Sequence, residues 1–168
     1  MKPKSSMKVC LLFQKESSAR KRKTMIRYVN EDIFSSDVQT IVNPVNTVGV
    51  MGKGLALAFK QRFPDTMHLA YLSACRRGLL APGKLILFPF DNYWVLLFPT
   101  KKDWHEPSRL EYIEAGLKKF VETYAEKGIT SIAFPKLGCG CGNLSWEEVK
   151  PLMERYLNPL PIPVCVCL

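Results

Sequence analysis

The sequence predicts an α/β fold, a sandwich of helices around a mixed central sheet. Three observations carry that prediction. Short β-rich runs alternate with helical segments along most of the chain. Two of those runs, Ile41–Asn43 and Ile129–Pro135, are short and apolar, the pattern of strands covered on both faces. Each then feeds a glycine-rich loop and a helix. In open sheets of this kind ligands bind at the carboxyl ends of the strands, and both loops leave that edge.

The elements follow in order. Met25–Asn30 alternates and predicts the first strand. Glu31 and Asp32 precede Ile33 and Phe34, and Ser35-Ser36-Asp37 punctuates before a strand over Val38–Asn43. Gly49, Gly52 and Gly54 then fall within six residues, and a helix is expected from about Gly52 to Arg62, stopping before Pro64. Asp65 is placed to cap a helix over Thr66–Arg77, with Gly78 closing it. Pro82-Gly83 is a turn. Lys84–Phe90 and Tyr93–Pro99 read as a hairpin around Asp91-Asn92.

Ser108 and Glu111 form a capping-box pattern before a helix marked by Leu110, Ile113, Leu117, Phe120, Val121 and Tyr124. Gly128 ends it, and the strand Ile129–Pro135 follows. Lys136–Leu144 is the second glycine-rich loop. Ser145 and Glu148 repeat the capping box, opening a helix to about Leu157 that Pro151 should bend. Ile162–Leu168 reads as a last strand.

The totals bound the function. A chain of 168 residues fits one domain with a sizeable core. No apolar run approaches the ~20 residues of a membrane span. Val9–Phe13 is too short for a signal-peptide core, and Gln14-Lys15-Glu16 ends it without a cleavage pattern, so a cytoplasmic protein is expected. The six cysteines form C-x-C twice, at Cys139/Cys141 and Cys165/Cys167, never C-x-x-C. With only His68 and His105 beside them, neither a zinc site nor a disulfide framework is expected.

The formal charge of +9 is unevenly placed. Residues 1–24 carry eight basic side chains against Glu16, a surplus of +7, which leaves +2 for the rest. That segment, with its run Arg20–Lys23, reads as a mobile, solvated tail ahead of the domain. The basicity is therefore weak evidence for a nucleic-acid-binding fold.

Each loop could let backbone N–H groups approach an anion, helped by the positive end of the following helix. The first loop alone reads slightly better as an ordinary strand-to-helix turn, since its spacing matches neither the dinucleotide nor the P-loop pattern. The second loop shifts the balance. Two donor loops facing each other make a cleft for a diphosphate.

These residues carry a resemblance. Val42-Asn43-Pro44-Val45-Asn46, then Gly49 to Ala56, then Gly138-Cys139-Gly140-Cys141-Gly142-Asn143-Leu144, resemble in that order the macrodomain family, ADP-ribose-binding three-layer α/β/α sandwiches with a mixed central sheet. The resemblance covers residues 25–168. Within the family, VNTVGVMGKGLA, FPTKKDW and the loop before LSWEEV are similar to the DNA ADP-ribosyl glycohydrolases, and to the related terminal ADP-ribose protein glycohydrolases.

The resemblance implies roles. Asp32 would accept from the adenine amine while the Ile33 amide donates to the ring, although Glu31 stands where the family usually has Gly. Asn46 would face the distal ribose, whereas Asn43 reads as a tie from strand to loop. The first loop, Gly49–Gly52, would lie across the pyrophosphate, and Asn46, Thr47, Val48, Gly49, Val50 and Gly52 would together contact ADP-ribose. Gly138, Cys139, Gly140, Cys141, Gly142 and Asn143 would complete the binding site, the cysteines as small fillers.

Lys101 matches the lysine that resembles the catalytic one. A neutral amine can attack an anomeric carbon, and the charge of Lys102 would help to neutralise it. The protein-type enzymes carry an acid before the loop's Leu; here Gly142 or Asn143 stands there, as the DNA-type lacks it. Trp104 reads equally as a base-stacking side chain or as packing on the following helix. His105 reads as a surface residue. The implied activity is removal of ADP-ribose from a modified base, thymidine, in single-stranded DNA, by a monomer acting as antitoxin to a DNA ADP-ribosyltransferase toxin. No metal or other cofactor and no membrane is implied. The alternatives are a module that only binds ADP-ribose and a glycohydrolase acting on protein side chains.

Overall fold

The computed structural model describes residues 25–168. The expected tail, residues 1–24, lies outside the described residues. The elements are β1 (Arg27–Val29), β2 (Thr40–Val45), α1 (Gly54–Arg62), α2 (Asp65–Arg76), β3 (Ile86–Pro89), β4 (Trp94–Pro99), α3 (Leu110–Thr123), β5 (Ile132–Pro135), α4 (Trp146–Leu157) and β6 (Val164–Cys167), with a short 3-10 turn at Ile33–Ser35. They build one six-stranded sheet in the order β1-β6-β5-β2-β4-β3. All pairings are parallel except β3 with β4, so the sheet is mixed as expected.

Alternation along β4 explains the three layers. Val95 and Leu97 face the layer of α1 and α2, Leu96 and Phe98 face that of α3 and α4, and all four are fully buried. Phe59, Met67 and Tyr71 cover the first face; Ile113, Leu117, Phe120, Val149, Met153 and Leu157 cover the second. Each such side chain contributes about 1.5–3 kcal/mol by leaving water. Among the described residues no helix is long and apolar enough to cross a membrane.

Three expectations of helix capping meet different outcomes. Ser145 caps α4, its side chain accepting from Glu147 N at 3.2 Å, and α4 runs on through Pro151. Asp65 is not a cap: Pro64 holds that position and Asp65 is the first helical residue, where its charge still favours the helix N-terminus. Ser108 is not a cap either. The chain enters α3 at Arg109, and the Ser108 hydroxyl is buried without a partner. Its backbone has another role: Ser108 N donates to Gly142 O at 2.9 Å and braces the second loop.

Candidate functional site

The carboxyl ends of β2, β4 and β5 open into a cleft of about 580 Å³. Its walls are the loop after β2 with the first turn of α1, the segment after β4, and the loop after β5. Pro135 and Cys167 floor it from β5 and β6. The two loops come close together: a Cβ added at Gly54 would lie 3.3 Å from Cys141 Sγ.

The first loop is held by a buried amide. Asn46 Oδ1 accepts from Val48 N at 3.1 Å and Val50 N at 3.2 Å, while its Nδ2 donates to Val50 O at 2.7 Å. The Tyr71 hydroxyl of α2 lies 2.9 Å from both Asn46 O and Oδ1. Burial holds that hydroxyl protonated, well above the ordinary phenol range. Asn46 lines the cleft, but most of its hydrogen-bonding capacity shapes the loop rather than facing a ribose.

The start of α1 lacks a side-chain cap. Lys53 occupies the cap position in extended conformation without a side-chain hydrogen bond, and Gly54, Leu55 and Ala56 line the cleft. The first-turn N–H groups and the positive end of the helix thus face the cavity, an arrangement suited to an anion. In the second loop, Cys139 N, Asn143 N and Leu144 N bond to Lys136 O, Gly140 O and Gly138 O. The N–H groups of Gly140, Cys141 and Gly142 make no such bond among the described residues. Gly142 is required by close approach: a Cβ there would lie 2.3 Å from both Gly138 O and Ser108 Oγ.

Lys101 projects between these walls, its Nζ donating to the carbonyl of Cys141. Its backbone is anchored from the first loop, where Thr47 N and Oγ1 both donate to Lys102 O, at 3.2 and 2.8 Å. The Lys102 ammonium instead lies 5.5 Å over the Tyr112 ring of α3. Lys53 and Lys136 also line the cleft, and no acidic side chain does so among the described residues. Trp104 lines it too, half exposed and set against His105 with ring centroids 3.3 Å apart and the planes tilted by 31°. Asp103 Oδ1 accepts from His105 N and meets its Nδ1, both at 2.9 Å, and the backbone bond chiefly holds that carboxyl below its ordinary range.

Of the residues expected here, Lys101, Asn46, Val50, Gly52, Gly138, Gly140, Cys141, Gly142 and Trp104 line the cleft. Seven do not. Asp32 Oδ1 accepts from Phe34 N at 3.0 Å, capping its own turn, and Oδ2 lies 3.5 Å from Arg62. The Ile33 side chain is buried in the core on the α1/α2 side of the sheet. Thr47 is the anchor on Lys102. Val48 points to solvent and Gly49 packs on Leu72. Cys139 packs on the α3/α4 side, burial pushing its thiol pKa up. Asn143 turns the loop at φ 60°. Asn43 does not tie strand to loop: both polar atoms of its amide are buried without a partner.

Sequence reasoning missed Tyr71, Lys53, Lys136 and Cys167. Lys53, set between Gly52 and Gly54, and Lys136, opening the second loop, carried a signal in their position. Tyr71 and Cys167 carried none, since each is brought in by tertiary packing.

A macro domain family model matches residues 42–153. The DNA ADP-ribosyl glycohydrolase of Thermus aquaticus is 44% identical over 140 residues, 81% of this chain and 39% of that protein. The solved macrodomain of Thermus aquaticus DarG superposes with a TM-score of 0.80 at 43% identity, covering 86% of this chain and 99% of that one. Thermosipho africanus DarTG in complex with ADP-ribose gives a TM-score of 0.79 at 46% identity, covering 84% of this chain and 40% of that one. The chain spans about two fifths of the length of the curated relatives it matches first. By the family model and by the superposition, this chain belongs to the macro domain family.

Proposed function

We propose that this domain is an ADP-ribosyl glycohydrolase that releases ADP-ribose from a modified base, thymidine, in single-stranded DNA. The observation that carries the reading is the placement of the Lys101 amine in the cleft, between two walls rich in backbone donors. The diphosphate would lie on the open N–H groups of the second loop and the first turn of α1. The distal ribose would then come up against Lys101. Likeness to the DNA-type relatives supports a nucleotide substrate, and so does the lack, among the described residues, of an acidic side chain lining the cleft.

The chemistry runs in two steps. Lys101 Nζ, as the neutral amine, bonds to the anomeric carbon while the bond from that carbon to the base nitrogen breaks. The base leaves with the electron pair and takes up a proton. Water then adds to the anomeric carbon, the amine departs, and free ADP-ribose results. No metal or redox cofactor enters. The cysteines act as fillers of the loop.

The remaining assignments are part of the same proposal. Asp32 and Ile33 would bound the adenine end, provided the Asp32 carboxylate leaves its own turn. Val50, Gly52, Gly138, Gly140, Cys141 and Gly142 would contact the diphosphate and ribose. The domain would act as an antitoxin in the cytoplasm, as a monomer, beside a DNA ADP-ribosyltransferase; a Thermosipho africanus relative is a fusion of transferase and glycohydrolase. The test is incubation with ADP-ribosylated oligonucleotide and ADP-ribosylated protein in parallel, measuring released ADP-ribose. Release from the oligonucleotide is expected. Release from protein alone would replace this reading with the protein-directed one, and release from neither, with ADP-ribose bound, would leave a binding module.

A further inference from the structure

Three of the seven exposed large hydrophobic residues among those described, Val48, Val50 and Trp104, belong to the two segments at the mouth of the cleft. Those segments are joined by the paired bonds from Thr47 to Lys102 O. The exposure is built rather than incidental. Asn46 and Tyr71, both buried, fix the turn that holds the two valines outward. Across the join, Asp103 clasps His105, and the His105 ring backs Trp104. Exposed apolar side chains gathered on two joined segments at the mouth of a cleft point to an interaction surface there.

Charge identifies the occupant. Lys53, Lys101 and Lys136 line the cleft beside this rim, and none forms an ion pair among the described residues. With the Lys101 amine neutral and the diphosphate assigned to the backbone N–H groups, the Lys53 and Lys136 ammonium groups stay available for the phosphodiesters of a strand. Apolar, π-tolerant surface beside lysines is the pattern of single-strand binding, where bases stack and phosphates meet ammonium groups. Whatever carries the ADP-ribose must leave the cleft on the Lys101 side, and Trp104 lies three residues beyond Lys101.

We infer that the rim formed by Val48, Val50 and Trp104 is a subsite for nucleotides flanking the modified one, with Trp104 stacking on a neighbouring base and Lys53 meeting a backbone phosphate. This rests on the DNA reading above and extends it from the modified nucleotide to the strand around it.

The test compares kcat/KM of the full chain on an ADP-ribosylated 12-mer and on ADP-ribosylated thymidine monophosphate. The segment 1–24 is then common to every variant. The parent should prefer the 12-mer. Trp104→Ala should lower kcat/KM on the 12-mer about 10-fold through KM, within the range of lost stacking, and so remove the preference. Trp104→Phe should restore it. Lys53→Gln should lessen the fall of oligonucleotide affinity with salt by about one unit of log–log slope. Equal losses on both substrates would mark Trp104 as structural and overturn the subsite. An unchanged Trp104→Ala on a 12-mer that the parent does cleave would overturn the subsite alone. If the parent cleaves ADP-ribosylated protein and no DNA, both the substrate reading and the subsite fall, and the rim belongs to a protein partner.

Discussion

The Lys101 amine donates to the Cys141 carbonyl, so a side chain leaving β4 reaches across to the loop after β5. The bond joins the two halves of the cleft through the group assigned the chemistry. It also makes Cys141 a reporter of the site, since that residue is exposed and lines the same cavity.

Thiol reactivity gives the first prediction. Burial raises the pKa of Cys75, Cys139 and Cys167, which disfavours the reactive thiolate. Cys141, exposed, should therefore be alkylated by iodoacetamide before those three, and ADP-ribose should protect it. Peptide mapping by mass spectrometry resolves each site. Faster labelling of Cys139, or no protection of Cys141 by ligand, would contradict the placement of the second loop.

The Tyr71–Asn46 contact should matter for both stability and binding. Tyr71→Phe removes a buried hydroxyl whose two possible acceptors lie 2.9 Å away. The expected cost is about 1 kcal/mol of unfolding free energy, with weaker ADP-ribose affinity as the first loop loosens. Denaturant titration and calorimetry measure the two. Full affinity in a destabilised variant would show that the loop does not depend on this contact.

The two serines of the capping-box patterns should behave differently. Ser145→Ala removes a made cap and should cost about 1 kcal/mol. Ser108→Ala removes a buried hydroxyl with no partner, and should be close to neutral or stabilising. Urea denaturation of both variants checks this, and equal losses would show that Ser108 does cap α3.

These serines also mark how far the sequence was legible. S-x-x-E stands before both α3 and α4, but only Ser145 sits at the helix boundary. At Ser108 the backbone N–H is drawn to Gly142 O, a contact 34 residues away that no local pattern encodes. The strands, the hairpin and the two loops were legible because apolar runs and glycines are local signals, whereas the order of strands in the sheet was not. Lys101 was found through a motif, while the partner of its amine, Cys141, comes from β5 and required the fold. Asp32, proposed to bound the adenine end, has a side chain that caps Phe34 N and meets Arg62. Such local competition is invisible in a motif match.

The central claim is that Lys101 performs the cleavage and that binding comes from the walls around it. It is tested most directly by single-turnover release of ADP-ribose from an ADP-ribosylated oligonucleotide, with calorimetry of free ADP-ribose on the same preparations. Lys101→Ala should abolish release, a loss of at least about 1000-fold, while ADP-ribose binding stays measurable, because affinity resides in the backbone donors. Lys102→Ala should keep most activity, since that ammonium lies over Tyr112. Release at the parental rate by Lys101→Ala, or a dead Lys102→Ala variant, would contradict the account.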